Sequence, residues 1–328
     1  MADAEPTDLP LEVEAGAAGA HASAAFGLLG NETRLAILLA LWERYDPHAD
    51  DNAVLFSELF DMVAYDNPGN FSYHLKQLTG QFVRQRTEGG GYELRLPGLK
   101  LIKAVVAGAG LQDETREATE IEQPCPLCGA TATTISYRDG LLFHACTECE
   151  GPVPERTEVE GFLSATPFEP AGLSGRTPAE LRAASRVASI RQIQAMFDGV
   201  CPTCSGPIDG WLDYCPDHEP GLCEHCGTRF VAWARFECRI CKDHGNTSPK
   251  ALALLHPAVM GFYDDHGVST RFRADDVEGV ARGFELMDAH ELTLVSTDPP
   301  RVEVAVEHDS DTLALTFDET VEVVDVRR

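Results

Sequence analysis

Apolar positions recur with a helical period in the first third of the chain and alternate with polar positions near its end. From Phe26 to about Ala109 the apolar residues predict three helices, a β-hairpin and a last helix. Residues 249–328 predict two helices followed by about four strands. The alternation is clearest in Val302, Val304 and Val306, and in Leu313, Leu315 and Phe317. The pattern therefore predicts a multidomain protein of the α+β class.

Local signals place the first two helices. Leu35 and Trp42 mark one face of the first helix, and Pro47 lies in the loop that follows it. Ser57 is expected to cap a short second helix that runs through Ala64, because a serine side chain accepts hydrogen bonds from the free amides of a helix start.

Turn-forming residues separate the next three elements. The turn over Asp66–Gly69 is expected to open a third helix that reaches about Thr79. Residues 81–98 then predict a hairpin that turns over Thr87–Gly91, and a last helix covers Leu99–Val106. This order of elements is that of a winged helix-turn-helix, in which the third helix reads DNA.

The third helix has an apolar stripe and an opposite polar face. Phe71, Leu75 and Leu78 form the stripe, which should pack on the first two helices, and His74 lies near its border. The polar face carries short, amide-bearing, cationic and phenolic side chains, which suit base edges and phosphates. With two arginines of the hairpin, the candidate DNA contacts are Asn70, Ser72, Tyr73, Lys76, Gln77, Arg84 and Arg86.

Charge makes this region stand out from the rest of the chain. The 328 residues include 26 Lys and Arg against 53 Asp and Glu, a net charge of −27, and only five of the bases are Lys. This balance is typical of a protein from the cytoplasm of a halophile, and it argues against membrane-surface binding. Residues 67–87 are the longest stretch without an acid, and residues 67–112 carry a net charge of +4. Such a local reversal of sign is what binding to double-stranded DNA requires.

Two segments resemble the ArsR-type winged-helix repressors. One is Leu29–Leu38, and the other is Phe71–Leu78, which keeps the family's Ser-x-His-Leu-x-x-Leu core. The resemblance covers residues 24–110 and implies a homodimer on an operator, with dimer contacts from the first and last helices. Metal-sensing members carry a Cys pair in this domain, whereas residues 1–124 contain no Cys. The alternative is a protein-interaction winged helix with merely solvated cations.

The helices expected to form the dimer contacts carry more apolar residues than one small domain needs to cover. The excess consists of Leu99, Ile102, Val105 and Val106 in the last helix, and of Leu28, Leu29 and Leu38 near the first.

The cysteines supply the strongest chemical signal. All eleven lie in pairs with a gap of two residues, except that Cys215 is paired in this way with His218. A two-residue gap places both ligands on one tight turn, as tetrahedral Zn²⁺ needs, so twelve ligands predict three structural zinc sites. The ligands are Cys125, Cys128, Cys146, Cys149, Cys201, Cys204, Cys215, His218, Cys223, Cys226, Cys238 and Cys241.

The pairing of these ligands is clear only for the first group. The pairs at Cys125 and Cys146 bracket a predicted hairpin, which is typical of a zinc ribbon. Within Cys201–Cys241, sequential pairing is favoured because each half has an insert of hairpin length; a cross-braced, RING-like pairing is the alternative. Redox Cys-x-x-Cys chemistry is a third interpretation, but it needs a turn at a helix N-terminus.

Changes in composition and pattern along the chain predict the boundaries of its segments. Residues 113–124 predict a charged linker, and residues 152–178 predict an extended connector before an amphipathic helix near Thr177–Phe197. The predicted domains are a disordered acidic tail (1–22), a winged helix-turn-helix (23–112), a zinc ribbon (120–153), a linker with an amphipathic helix (154–198), a double zinc-binding module (199–246) and an α+β domain (249–328).

The sequence lacks the motifs that are typical of enzymes and of membrane or secreted proteins. The sequence contains no P-loop, nucleophile elbow or His-Glu-x-x-His helix, so no enzyme is predicted. The longest apolar run, Leu35–Trp42, is too short to cross a bilayer, and the acidic N-terminus is unlike a signal peptide. We therefore expect a cytoplasmic transcriptional regulator whose last domain serves sensing or assembly, with no identified small-molecule effector. The alternative is a RING-like zinc adaptor that binds proteins.

Overall fold

Helices and small antiparallel sheets alternate along the chain in the computed structural model, which describes residues 27–86, 90–108 and 114–328. The chain divides into two units, residues 1–109 and 110–328, and each is described by itself. The tail predicted over 1–22 and most of the predicted hairpin turn lie outside the described residues. Among the helices in the described ranges, none is long and apolar enough to cross a membrane.

The first unit follows the predicted order of elements. Its helices and strands are α1 (Glu32–Glu43), α2 (Phe56–Val63), α3 (Pro68–Leu78), β1 (Val83–Gln85), β2 (Tyr92–Leu94) and α4 (Leu96–Ala107).

Side-chain caps fix the starts of α1 and α3. The carboxamide oxygen of Asn67 accepts a hydrogen bond of 3.0 Å from the amide of Asn70, and Pro68 occupies the first turn, as a helix start favours. The prediction for α2 was wrong, because this helix begins at Phe56 and its N-cap, Leu55, makes no side-chain hydrogen bond. Ser57 lies inside the helix instead.

Phe71 organises the core of the first unit. Its ring meets the rings of Phe56 and Phe60 edge to face at centroid distances of 5.4 and 5.3 Å. Leu75 and Leu78 are buried beside it, which confirms the predicted apolar stripe of α3. The packing of Phe56 on Phe71 also explains why α2 starts two residues earlier than the predicted Ser57 cap implies.

The hairpin of β1 and β2 is antiparallel and is tied to the loop between α1 and α2. Val54 and Tyr92 exchange two backbone hydrogen bonds of 2.8 Å. Gly91 has φ +81°, and a Cβ atom there would lie 2.6 Å from the carbonyl oxygen of Val54. Only glycine therefore allows this close approach.

Over residues 114–328, the second unit contains three antiparallel sheets and four α-helices. The first sheet has the order β3 (Arg116–Ile121), β4 (Thr133–Arg138), β5 (Leu141–Cys146) and β6 (Phe162–Pro167). The second has β7 (Ile208–Tyr214), β8 (Ala232–Cys238) and β9 (His244–Thr247). The third has β10 (Glu291–Thr297), β11 (Pro300–His308), β12 (Asp311–Phe317) and β13 (Val323–Arg327). The helices are α5 (Pro178–Phe197), α6 (Pro249–Leu255), α7 (Pro257–Asp265) and α8 (Val277–Ala289).

Two segments predicted to be irregular are edge strands. The charged linker contains β3, and the connector over 152–178 contains β6, so both predictions were wrong. Four consecutive residues of β3 are exposed, so its sequence reads as polar although its backbone pairs with β4. Backbone pairing at an edge needs no alternating apolar pattern.

Helix α5 joins the parts of the second unit. A capping box between Thr177 and Glu180 starts it, as the predicted boundary requires. Leu181 packs in the core of the first sheet, Val187 meets Val280 of α8, and Met196 enters the core shared by the other two sheets. The helix is thus buried on several sides, where one apolar face was predicted.

The last two sheets share a single core. Phe236 of β8 packs in the same cluster as Val304 of β11 and Leu315 of β12. All six residues of the predicted alternating sets are fully buried, which confirms the strands. The structure has three helices before them, one more than predicted. The segments 199–246 and 249–328 therefore form one folded body.

Candidate metal and nucleic-acid sites

Among the residues that the structure describes, three groups of four ligands could each hold a metal ion. In the first, two tight turns meet at the open end of the β4–β5 hairpin. The Sγ atoms of Cys125 and Cys149 lie 3.7 Å apart, as do those of Cys128 and Cys146. The predicted first ligand set is confirmed as a cluster.

The remaining eight ligands form two clusters by nested pairing. The outer pairs meet, with 3.6 Å between the Sγ atoms of Cys201 and Cys241 and 3.5 Å between those of Cys204 and Cys238. The inner pairs form the third cluster, which consists of Cys215, His218, Cys223 and Cys226. Sequential pairing was wrong, and so was the cross-braced alternative.

One hairpin explains the nesting. The two inserts do not each form a hairpin, because β7 lies in the first insert, β8 overlaps the second, and the two strands pair with each other from Ile208↔Cys238 to Tyr214↔Ala232. The outer pairs flank the open end of this hairpin, and the inner pairs lie in its long connection. Antiparallel pairing therefore brings the first pair of ligands to the last.

The sulfur positions fit a tetrahedral metal–thiolate centre. A metal–sulfur distance of about 2.3 Å implies sulfurs about 3.8 Å apart, close to the 3.5–3.7 Å between the paired sulfurs. All eleven cysteines are free thiols. Backbone amides donate to the sulfurs, as those of Leu127 and Ile240 do to Cys125 and Cys238 at 3.4 Å. Such donors stabilise thiolates, which are the metal-binding form.

The thiol pKa values show why the clusters need a cation. The amide of Glu219 lowers the pKa of Cys223 to about 7, which favours a thiolate near neutral pH. Burial raises the pKa of Cys215 to about 11 and that of Cys125 to about 12. Burial lowers the pKa of His218, which keeps this ligand neutral. A divalent cation supplies the charge that several neighbouring thiolates require.

The candidate DNA contacts all lie on the surface of the first unit. Tyr73 is the most apolar of them, and 60% of it is exposed. Residues on the same face of α3 are exposed as well, whereas His74 is half-buried near the border of the stripe, as predicted. The exposed candidates are Asn70, Ser72, Tyr73, Lys76, Gln77, Arg84 and Arg86.

Two of these candidates are held by a buried acid. The Nε atoms of Arg84 and Arg86 donate to the same carboxylate oxygen of Glu93, at 2.6 and 2.7 Å. Only 5% of Glu93 is exposed, and the hydrogen bond from Arg86 lowers its pKa. The pair therefore carries less free positive charge than the sequence suggests, but the carboxylate fixes both side chains on the hairpin surface.

A further set of functional candidates was missed by the sequence reasoning. Arg182 and Arg186 lie four residues apart on α5, and Arg182 is buried together with His144 of β5. The only signal was two arginines one turn apart in a helix with an apolar face.

The fold and the clusters define the chain as an α+β protein with a small helix–hairpin unit and a larger unit that bears three candidate metal centres. It belongs to the family of the domain of unknown function DUF7351, which matches residues 122–323. Residues 22–105 match a second domain of unknown function, DUF7347. Neither a curated protein nor a solved structure was found to match.

Proposed function

We propose that the protein is a DNA-binding transcriptional regulator of the ArsR-like winged-helix type. The observation that carries this proposal is the exposed polar face of α3, backed by a fully apolar core face and followed by a hairpin with fixed arginines. The helix presents amide, hydroxyl and cationic groups, which read base edges and hold phosphates.

Local charge supports the same proposal. No acid lies on α3 or β1, and Lys76, Lys100 and Lys103 are all exposed. In a chain of net charge −27, a phosphate backbone would be repelled from most of the surface. Binding would then be confined to α3 and the hairpin, which gives the domain one orientation on DNA.

Selection from random duplex DNA tests the proposal directly. The metal-loaded full chain should enrich a defined sequence, and the affinity for it should fall with rising KCl because phosphate contacts release counterions. Failure to enrich any sequence would contradict DNA reading and favour the adaptor alternative.

Replacing Lys76 with Ala should weaken binding to the selected sequence about tenfold and reduce the slope of log K against log[KCl] by about one. Lys76 is exposed on α3 and forms no ion pair within the residues that the structure describes, so its loss leaves the fold intact. Fluorescence anisotropy at several salt concentrations measures both quantities. The control is Arg44→Ala, which removes an exposed cation at the end of α1 together with its ion pair to Glu58. Equal losses in the two variants would contradict the assigned DNA surface.

The metal in the three clusters is Zn²⁺ in this proposal. Thiolate and imidazole ligands in closed sets of four are the structural zinc pattern, and the hairpin-borne first cluster corresponds to a zinc ribbon. The zinc ions would cross-link the ends of short hairpins whose own cores are small.

The regulator is further proposed to act as a homodimer, with a smaller seam than the sequence suggested. Ile102 and Leu38 are fully buried in their own subunit and are not available to a partner. Half of Val106 is exposed, and Leu99, Val105, Leu28 and Leu29 are half-buried. These residues remain the candidates for the seam.

Val105→Glu should convert the dimer into a folded monomer, because an unpaired charge in an apolar seam is costly. Sedimentation velocity at tens of micromolar protein in high salt checks the mass. Ala104→Glu is the control, because Ala104 is exposed on the same helix and points away from the buried side. A wild-type chain that already sediments as a monomer would rule out the seam.

A further inference from the structure

A cavity of about 480 Å³ lies within the second unit. Its walls come from β5 and β6 of the first sheet, from α5 and α8, and from β8 and β9 of the second sheet. Cavities of this size accommodate small metabolites.

The charge of the walls opposes that of the chain. Of the described residues that line the cavity, five have basic side chains and one, Asp288, is an acid. Arg235 is neutralised by Asp213 at 2.7 Å. The basic lining residues are Arg156, Arg182, Arg186, Arg235 and Lys250. A net positive cavity in a chain of net charge −27 favours an anion.

Several buried donors around the cavity have no hydrogen-bond partner in the described parts of the chain. Only 4% of Arg182 and 3% of His144 are exposed, yet Nε and Nη1 of Arg182 and both ring nitrogens of His144 lack partners. The Nε atom of Arg186 and the indole nitrogen of Trp233 also lack them. Burial lowers the pKa values of both arginines, that of Arg186 to about 10. Buried polar groups are rarely left unpaired, and a buried cation needs a counter-charge.

Aromatic rings form the rest of the binding surface. The guanidinium carbons of Arg182 and Arg186 lie 4.9 and 3.8 Å from the ring centroid of Phe284, within the range of cation–π contacts. Across the cavity, the rings of Phe230 and Trp233 meet edge to face at 4.9 Å. Guanidinium groups bind carboxylate and phosphate oxygens in pairs, and aromatic walls take a flat apolar body.

We propose that this cavity binds a small metabolite that joins a carboxylate or phosphate group to a planar apolar body. The oxyanion lies between Arg182 and Arg186 and accepts hydrogen bonds from them and from His144. The planar body lies against Trp233 and Phe230. The site is independent of DNA binding, so failure of either proposal leaves the other standing.

Two dyes of matched shape test the site on the zinc-loaded full chain. The sulfonate 1-anilinonaphthalene-8-sulfonate, whose naphthalene body is flat, should bind saturably to one site, and its uncharged parent N-phenyl-1-naphthylamine at least tenfold more weakly. Displacement by AMP identifies a phosphate ligand, and displacement by salicylate identifies a carboxylate. Equal binding of the two dyes, or no displacement by either anion, would overturn the proposal.

Arg182→Met separates a ligand-binding role from a structural one. The variant should bind the sulfonate dye at least tenfold more weakly and should melt no lower than the wild type, because it removes an uncompensated buried charge. Arg191→Met, an exposed position on the same helix, should leave dye binding unchanged. Should Arg182→Met fail to fold, Arg186→Met carries the same expected loss from a less buried position. Unchanged dye binding in the folded variant would assign the arginine to the core and overturn the site.

Discussion

Replacing Cys201 and Cys238 together by Ser is expected to remove one of three zinc ions per chain, whereas replacing Cys201 and Cys215 should remove two. The first pair belongs to one cluster of the nested arrangement, and the second pair is divided between two clusters. Structural zinc binding is worth on the order of 10 kcal/mol, so each lost ion should strongly destabilise the second unit. Metal analysis of the purified variants, combined with urea unfolding, measures both effects.

A third variant completes the test of the pairing. If the pairing were sequential, the first double variant would lose two ions and the second would lose one. If it were cross-braced, Cys201→Ser combined with Cys223→Ser would lose only one ion. For each of the three pairings, a different double variant therefore loses the fewest zinc ions. Chelation of all the metal should unfold the second unit, and a metal-free chain that still unfolds cooperatively at the same urea concentration would refute structural zinc.

Local signals carried most of what the sequence could predict. The opening of α3 at the turn over Asp66–Gly69, the apolar stripe of α3 and the strands around Val304 depend on neighbours close in sequence, and each was found at its predicted place. The ligand types were equally clear, because a two-residue gap fixes both ligands of a turn. Apart from the Ser57 cap of α2, what failed was the relation between distant segments.

The nested clusters show why distant relations were missed. Two inserts of similar length, each between ligand pairs, read as two separate hairpins. Only the long-range register of β7 on β8 shows that they are two strands of one hairpin. The cavity has the same origin, because Arg182 and His144 meet only through the packing of α5 on the first sheet. No local sequence pattern predicts how α5 packs on the first sheet.

Gly161 offers a test of the backbone that supports the first cluster. It has φ +62°, and a Cβ atom there would overlap the carbonyl oxygen of Cys146 and lie 2.9 Å from that of Cys149. The amide of Cys146 donates to the carbonyl of Gly161 at 2.8 Å, so a shift of Gly161 also shifts a metal ligand. Any side chain at this position must therefore displace the two ligand-bearing segments.

Gly161→Ala should lower the free energy of unfolding by about 3–5 kcal/mol, from left-handed strain together with overpacking. It should also remove the zinc ion of the first cluster while the other two remain. Gly140→Ala is the matched control, because Gly140 has φ +75° in the turn between β4 and β5, but a Cβ atom there has no neighbour within 4 Å. It should cost only about 1–2 kcal/mol and keep all three ions. Urea unfolding and metal analysis distinguish the two variants, and equal costs with equal metal content would show that the close approach of Gly161 to Cys146 is not what holds the cluster together.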